Sequence, residues 1–182
     1  MTRTLLYGGS FDPPHIAHIK VPHAAMEYLK FDRVLYVPAF QSPLKKTTPT
    51  SATHRLAMLQ LAHAGCPWAA ISTIELDRGG TSFTIDTIDS LLDSCDELRL
   101  LIGADQWLHF KEWHRWEDII SLANPAIMPR IGFELSDPRV LKIKPLPGSS
   151  TAVREKIGQT ECSLDFIQPE VAAYIAQHGL YL

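Results

Sequence analysis

Three short apolar runs, each stopped by glycine or proline, constrain most what this chain can fold into. Thr4–Tyr7 runs into Gly8-Gly9, Arg33–Val37 into Pro38, and Leu98–Ile102 into Gly103. Apolar runs this short, without polar alternation, read as strands buried on both faces. Helical stretches separate them. From Ile16 to Leu29, residues Ile16, Ile19, Ala24, Met26 and Leu29 can share an inward face, with Pro22 expected to kink the helix. Further helices are expected over His54–Ala64 and Thr84–Leu92, and Trp68–Leu76 reads as strand. Pro125–Pro129 and Val140–Ile143 read as short strands, and helices over Ser150–Ile157 and Pro169–Gln177 follow, Pro169 suiting a first helical turn.

Strands alternating with helices across short links predict an α/β fold: a Rossmann-like, doubly wound parallel sheet with helices on both faces. The 182 residues fit one domain over 1–182, with a small C-terminal helical part from about residue 149. Ligands in such sheets bind beyond the C-terminal strand ends, where strand order reverses. Attention therefore falls on Gly8–His18, Phe40–Lys46, Gly103–Asp105 and Gly148–Thr151.

Composition narrows the function classes. The net charge of −3 gives no sign of a nucleic-acid surface, so an anionic ligand must be met by a local cluster of cations. No run of about 18 apolar residues is available to span a membrane. Met1–Tyr7 reaches glycine too soon for a secretory leader. Cys66, Cys95 and Cys162 are odd in number and far apart, which fits neither a disulfide framework nor a zinc site and points to the reducing cytoplasm. A homo-oligomer is neither required nor excluded.

The chemistry concentrates in Gly8-Gly9-Ser10-Phe11-Asp12-Pro13-Pro14-His15-Ile16-Ala17-His18. Two glycines let the backbone approach a ligand closely, Ser10 adds a hydroxyl, and the following helix offers N–H groups that favour phosphate. His15 and His18, three apart, lie on one helical face and can donate to neighbouring phosphate oxygens. No Gly-Lys-Ser/Thr is present for a P-loop, and no Gly-x-Gly-x-x-Gly for a dinucleotide redox site. The spacing of three, with no third ligand in view, argues against zinc. This segment resembles the Gly-Gly-Ser/Thr-Phe-Asp-Pro-x-His-x-Gly-His signature of the HxGH nucleotidyltransferase superfamily, with Ala17 in the place of the glycine between the two histidines. Ser149-Ser150-Thr151-Ala152-Val153-Arg154 is similar to that superfamily's Ile-Ser-Ser-Thr-x-Ile/Val-Arg motif, with Gly148 in the isoleucine position. Its hydroxyls can cap a helix and meet phosphate oxygens, and Arg154, one turn on, adds fixed positive charge.

The middle of the chain resembles one family within it, the nicotinate-nucleotide adenylyltransferases. The matching segments are Glu75-Leu76-Asp77-Arg78 with Thr81–Ile88, Ile102-Gly103-Ala104-Asp105, Phe110–Trp116, and the ending Ile167–Tyr181. The family's Pro-Pro-His-Lys loop stands here as Ser42-Pro43-Leu44-Lys45, and Met128–Gly132 follows its Arg-Pro-Gly pattern loosely.

The resemblance implies adenylyl transfer from ATP to nicotinic acid mononucleotide, giving deamido-NAD and pyrophosphate, with Mg²⁺ bound alongside ATP and no dedicated protein metal site. It implies that His15, His18 and Arg154 carry the catalysis. Gly8, Gly9, Ser10, Phe11, Gly103, Asp105, Ser149, Ser150 and Thr151 would bind ATP. Asp12, Lys45, Thr84, Trp113 and His114 would bind the acceptor, Trp113 offering a stacking face for the pyridine ring. Trp116 reads as core packing. Pantetheine-phosphate adenylyltransferase is the second reading, set back by His15 where that family has threonine. A regulatory nucleotide-binding protein without turnover is the third.

Overall fold

The computed structural model describes residues 2–43, 50–158 and 166–182. Five strands form one parallel sheet: β1 (Arg3–Gly9), β2 (Arg33–Pro38), β3 (Ala69–Ile71), β4 (Glu97–Gly103) and β5 (Ala126–Met128), in the order β3-β2-β1-β4-β5. Strand order reverses between β1 and β4, which opens a crevice beyond their C-terminal ends. The helices are α1 (Ile16–Leu29), α2 (Ala52–Ala62), α3 (Ile74–Arg78), α4 (Thr84–Leu91), α5 (Ala104–Trp107), α6 (Trp116–Ala123), α7 (Ser150–Gly158) and α8 (Pro169–His178).

Period-two alternation within the apolar runs divides the core. Leu5, Val34, Tyr36, Leu101 and Met128 pack on one face with Val21, Ala25 and Met26 of α1 and Leu59 of α2. Leu6, Leu35, Val37, Leu100, Ile102 and Ile127 pack on the other with Ile85 and Ile88 of α4 and Ile119 and Ala123 of α6. The expected doubly wound sheet is therefore present. A third cluster joins Ile19, Met58 and Ala62 to Val153, Val171 and Ile175, so α7 and α8 are seated on α1 and α2. Among the described residues, no helix is long and apolar enough to cross a membrane.

Pro22 sits inside α1 and cannot donate to the carbonyl of His18, four residues back. The Tyr36 hydroxyl of β2 supplies the missing bond, donating to His18 O at 3.0 Å. A buried polar group is thereby satisfied, and α1 is fixed to the sheet one turn inside its N-terminus.

Two strand expectations change. Of Trp68–Leu76 only Ala69–Ile71 pairs, and Ile74 already begins α3. Val140–Ile143 is not a strand: Val140 makes one isolated parallel bridge to Ile127, flanked by Ile127 N to Arg139 O and Leu141 N to Ile127 O. Pro145 and Pro147 follow at once, and neither has an N–H to extend a ladder. Helix α2 starts two residues before the expected His54, because Ser51 Oγ accepts from His54 N at 3.4 Å and caps it.

Candidate functional site: a phosphate corner and an aromatic wall

The crevice is a cavity of about 1080 Å³. It lies at the upper end of the ligand-pocket range, in keeping with two substrates. Every site residue expected from the sequence lines it except Lys45, which falls outside the described residues.

At its floor, β1 ends at Gly9 and the chain turns through Ser10–Pro14 into α1. The Phe11 ring is buried and packs edge-on against Tyr7, His18 and Tyr36, so it supports the turn from beneath. The rings of His15 and His18 stack with centroids 3.6 Å apart and planes 20° apart. The backbone N–H of His15 donates to His18 Nδ1 at 3.2 Å, an arrangement that assigns the His18 ring proton to Nε2. His15 is buried, and its pKa is lowered to about 4, chiefly by burial and secondly by the Arg130 charge. It is therefore a neutral imidazole at physiological pH. Its Nδ1 is enclosed without a hydrogen-bond partner.

Gly148 explains where that ring goes. A Cβ on Gly148 would lie 2.7 Å from His15 Nδ1, 2.8 Å from Cε1 and 3.0 Å from the Ala17 methyl. The space given up at 148 is the space that His15 and the extra methyl of Ala17 occupy.

The second motif is tied to the first by direct bonds. Ser150 Oγ donates to Pro13 O at 2.9 Å, and Arg154 Nη1 donates to Asp12 O at 2.7 Å. Arg154 Nη2 also donates to Thr151 Oγ1 at 3.2 Å, while Ser149 Oγ accepts from Ala152 N at 3.4 Å, capping α7. The N-terminus of α7 and the turn before α1 thus form one corner, built from side-chain hydroxyls, imidazoles, a guanidinium and helix-end N–H groups.

Asp105 follows β4, and its Oδ2 accepts from Arg130 Nη1 at 2.7 Å. Arg130 Nη2 reaches Gly148 O at 3.4 Å, so this arginine links the ends of β4 and β5 to the entrance of α7. Asp105 Oδ1 is buried without a hydrogen-bond partner and curls over Gly103, where a Cβ would meet it at 2.6 Å.

The opposite wall is aromatic. Thr84 opens α4, and the Phe83 and His114 rings lie 5.0 Å apart. Trp113 packs 5.4 Å from Phe110, with its indole Nε1 buried and unpartnered. Trp116 also faces Phe110, at 6.4 Å, and joins the sheet core as expected. Behind this wall Glu75 is buried, accepts from Thr87 Oγ1 at 2.7 Å, and has its pKa raised by burial.

No group of three or more His, Cys, Asp or Glu residues that could hold a metal ion occurs among the described residues. The two carboxylates nearest the phosphate corner are engaged, Asp105 by Arg130 and Asp12 by Tyr181 and the Thr50 N–H. The chain thus offers donors at this corner.

The cytidylyltransferase-like family model matches residues 6–156. The chain belongs to that family. Within it, the chain is 37% identical over its whole length to a Herpetosiphon aurantiacus protein named "probable nicotinate-nucleotide adenylyltransferase", and the match covers all of that relative too. A Bordetella parapertussis protein of the same name is 36% identical, with all of this chain and 98% of the relative covered. These matches place the chain among the nicotinate-nucleotide adenylyltransferases. The fold is that of Plasmodium falciparum nicotinic acid mononucleotide adenylyltransferase complexed with NaAD, with a TM-score of 0.85, 19% identity, and 100% and 98% of the two chains covered.

Three residues in or supporting the cavity wall were not singled out from the sequence. Arg130 was legible only as part of a loose Arg-Pro-Gly match. Tyr181 lies almost at the end of the numbering. Arg55 is 1% exposed on α2, where it interrupts an otherwise apolar face with Met58, Leu59 and Ala62. Its guanidinium donates to Thr50 O at 2.8 Å, Ser10 O at 3.0 Å and Phe40 O at 3.2 Å. A charged residue on the buried side of an amphipathic helix was the one available signal.

Proposed function

We propose that this chain transfers the adenylyl group of Mg·ATP to nicotinic acid mononucleotide in the cytoplasm, giving deamido-NAD and pyrophosphate. The observation that carries the reading is the joining of the two phosphate motifs, through Ser150 to Pro13 and Arg154 to Asp12, opposite an aromatic wall in one cavity. The names of the full-length relatives agree with it.

The acceptor phosphate is already anionic at neutral pH, so no protein base is required. One of its oxygens attacks the α-phosphorus, a P–O bond forms, and the bond to the β-phosphate oxygen breaks as pyrophosphate departs. Catalysis then consists of aligning two anions and stabilising the charge that shifts onto the leaving group. His18, with its proton on Nε2, donates to the transferring phosphate, and neutral His15 to a neighbouring oxygen. Arg154, the Thr151 hydroxyl and the Ser150 backbone N–H at the start of α7 hold the β- and γ-phosphates, and Asp105 accepts from the adenosine ribose. Mg²⁺ would enter as part of the nucleotide substrate and would help to neutralise its phosphates, beside the donors of the corner. Trp113 stacks on the pyridine ring, N–H groups near Thr84 and His114 meet its carboxylate, and Lys45 neutralises the acceptor phosphate.

Backbone donors facing an anion suit a carboxylate, whereas an amide leaves some unpaired at about 1–3 kcal/mol each. Nicotinate mononucleotide should therefore exceed the amide form in kcat/KM by one or more orders of magnitude. Pyrophosphate release is to be measured for both and for phosphopantetheine. Equal values for the two pyridine nucleotides would remove the carboxylate site from the scheme. Activity with phosphopantetheine alone would select the second reading, and ATP binding without turnover the third.

A further inference from the structure

The C-terminal tail enters the cavity. Helix α8 is anchored on α2 by Val171, Ile175 and the bond from Gln168 Nε2 to Ala62 O at 2.7 Å. It ends at Gly179, whose φ of 57° reverses the chain, with Leu180 N donating back to Ile175 O. Tyr181 then adopts φ 67°, a conformation that a bulky residue rarely takes and that persists only where surrounding structure enforces it. Its side chain is held by Asp12. The Tyr181 hydroxyl donates to Asp12 Oδ1 at 2.6 Å, beside Met58 Sδ at 4.0 Å, while Asp12 Oδ2 accepts from Thr50 N at 3.1 Å. Asp12 is only 8% exposed, and its carbonyl is the oxygen on which Arg154 rests. The tail, the glycine turn and the cation of the second motif are therefore in series.

We propose that Tyr181 is a positioning residue of the adenylyl-transfer site, acting through Asp12 to hold the turn against Arg154, so that the last residues of the chain are a working part of the active site. This rests on the adenylyl-transfer reading above. The strained backbone, the short bond to a buried carboxylate and the tail's presence in the cavity lining all meet at this one side chain. Each carboxylate oxygen of Asp12 accepts a hydrogen bond within the protein, which ties the turn to Tyr181 and to the entrance of α2.

Tyr181→Phe removes one hydroxyl and keeps the ring. The expected result is a loss of about tenfold or more in kcat/KM for ATP, as for removal of a hydrogen bond to a charged group, with a matching rise in the calorimetric Kd for Mg·ATP. Turnover is read well below the melting temperature of each variant, where a purely structural tether leaves kcat and KM at wild-type values. Deletion of residues 181–182 should cost the same, and Tyr181→Phe should add nothing to Asp12→Ala. Wild-type kcat, KM and Kd in Tyr181→Phe, or losses that add in the double variant, overturn the proposal. If the wild type binds Mg·ATP but releases no pyrophosphate with any acceptor, the reaction reading fails. Weaker Mg·ATP binding by Tyr181→Phe then still supports the latch, and unchanged binding overturns it.

Discussion

Replacing Gly148 with alanine adds one methyl group at the most crowded point of the phosphate corner. Its Cβ would lie 2.7 Å from His15 Nδ1, so the ring must retreat by about 0.7 Å to reach the 3.4 Å at which ordinary contact begins. Little room exists for that retreat, because His18 is stacked 3.6 Å away, and the added methyl would itself meet the Ala17 methyl at 3.0 Å. Overpacking of this kind costs about 1–3 kcal/mol in stability. Misplacing a reacting group by about 1 Å costs about a hundredfold in rate, so a loss of roughly tenfold to a hundredfold in kcat is expected from the displaced imidazole pair. Thermal unfolding and steady-state pyrophosphate release on the same preparation give both numbers. The double variant Ala17→Gly/Gly148→Ala separates them: it relieves the methyl contact and should regain melting temperature, yet it leaves the His15 contact and should regain little turnover. Wild-type kcat in Gly148→Ala, with nucleotide-free and nucleotide-bound stability unchanged, would refute the argument that the missing side chain sets the ring position.

Two further outcomes follow from the same corner. His18→Ala should lower kcat by about two orders of magnitude or more with the fold retained, since one preorganised donor to the transferring phosphate is lost; near-normal turnover would remove His18 from the site. Acidification should destabilise the protein. Burial lowers the folded-state pKa of His15 to about 4 and also lowers that of His63, so the unfolded chain binds more protons at mildly acid pH. The stability from keeping His15 neutral is complete above its ordinary pKa of about 6.5 and is lost as pH falls toward 4. Urea midpoints between those pH values should decline in the wild type and decline less in His15→Gln, and parallel curves would refute the assignment.

What could be read in the sequence was local. Apolar runs ending in glycine or proline identified β1, β2 and β4, because burial on both faces leaves a contiguous signal. The turn Gly8–His18 and the cap at Ser149–Thr151 were readable because chain reversal and helix capping use neighbouring residues. Val140–Ile143 misled because an apolar run records burial without recording whether a neighbouring strand is present to pair with, and the prolines beyond it end pairing after one bridge. Arg130, Tyr181 and Arg55 escaped for a different reason. Each works through partners far along the chain: Asp105 and Gly148, Asp12, and the carbonyls of Ser10, Phe40 and Thr50. No spacing rule reports such pairs.

Arg55 has a consequence for anyone transplanting parts of this enzyme. Its flat fork of donors grips three main-chain oxygens from three separate stretches, so the side chains there can vary while the carbonyl positions cannot. A segment grafted between Phe40 and Thr50 from a relative will be accepted or rejected according to where it delivers its two end carbonyls. A lysine at position 55, with a single point charge to offer, would leave at least one of the three stretches free to drift.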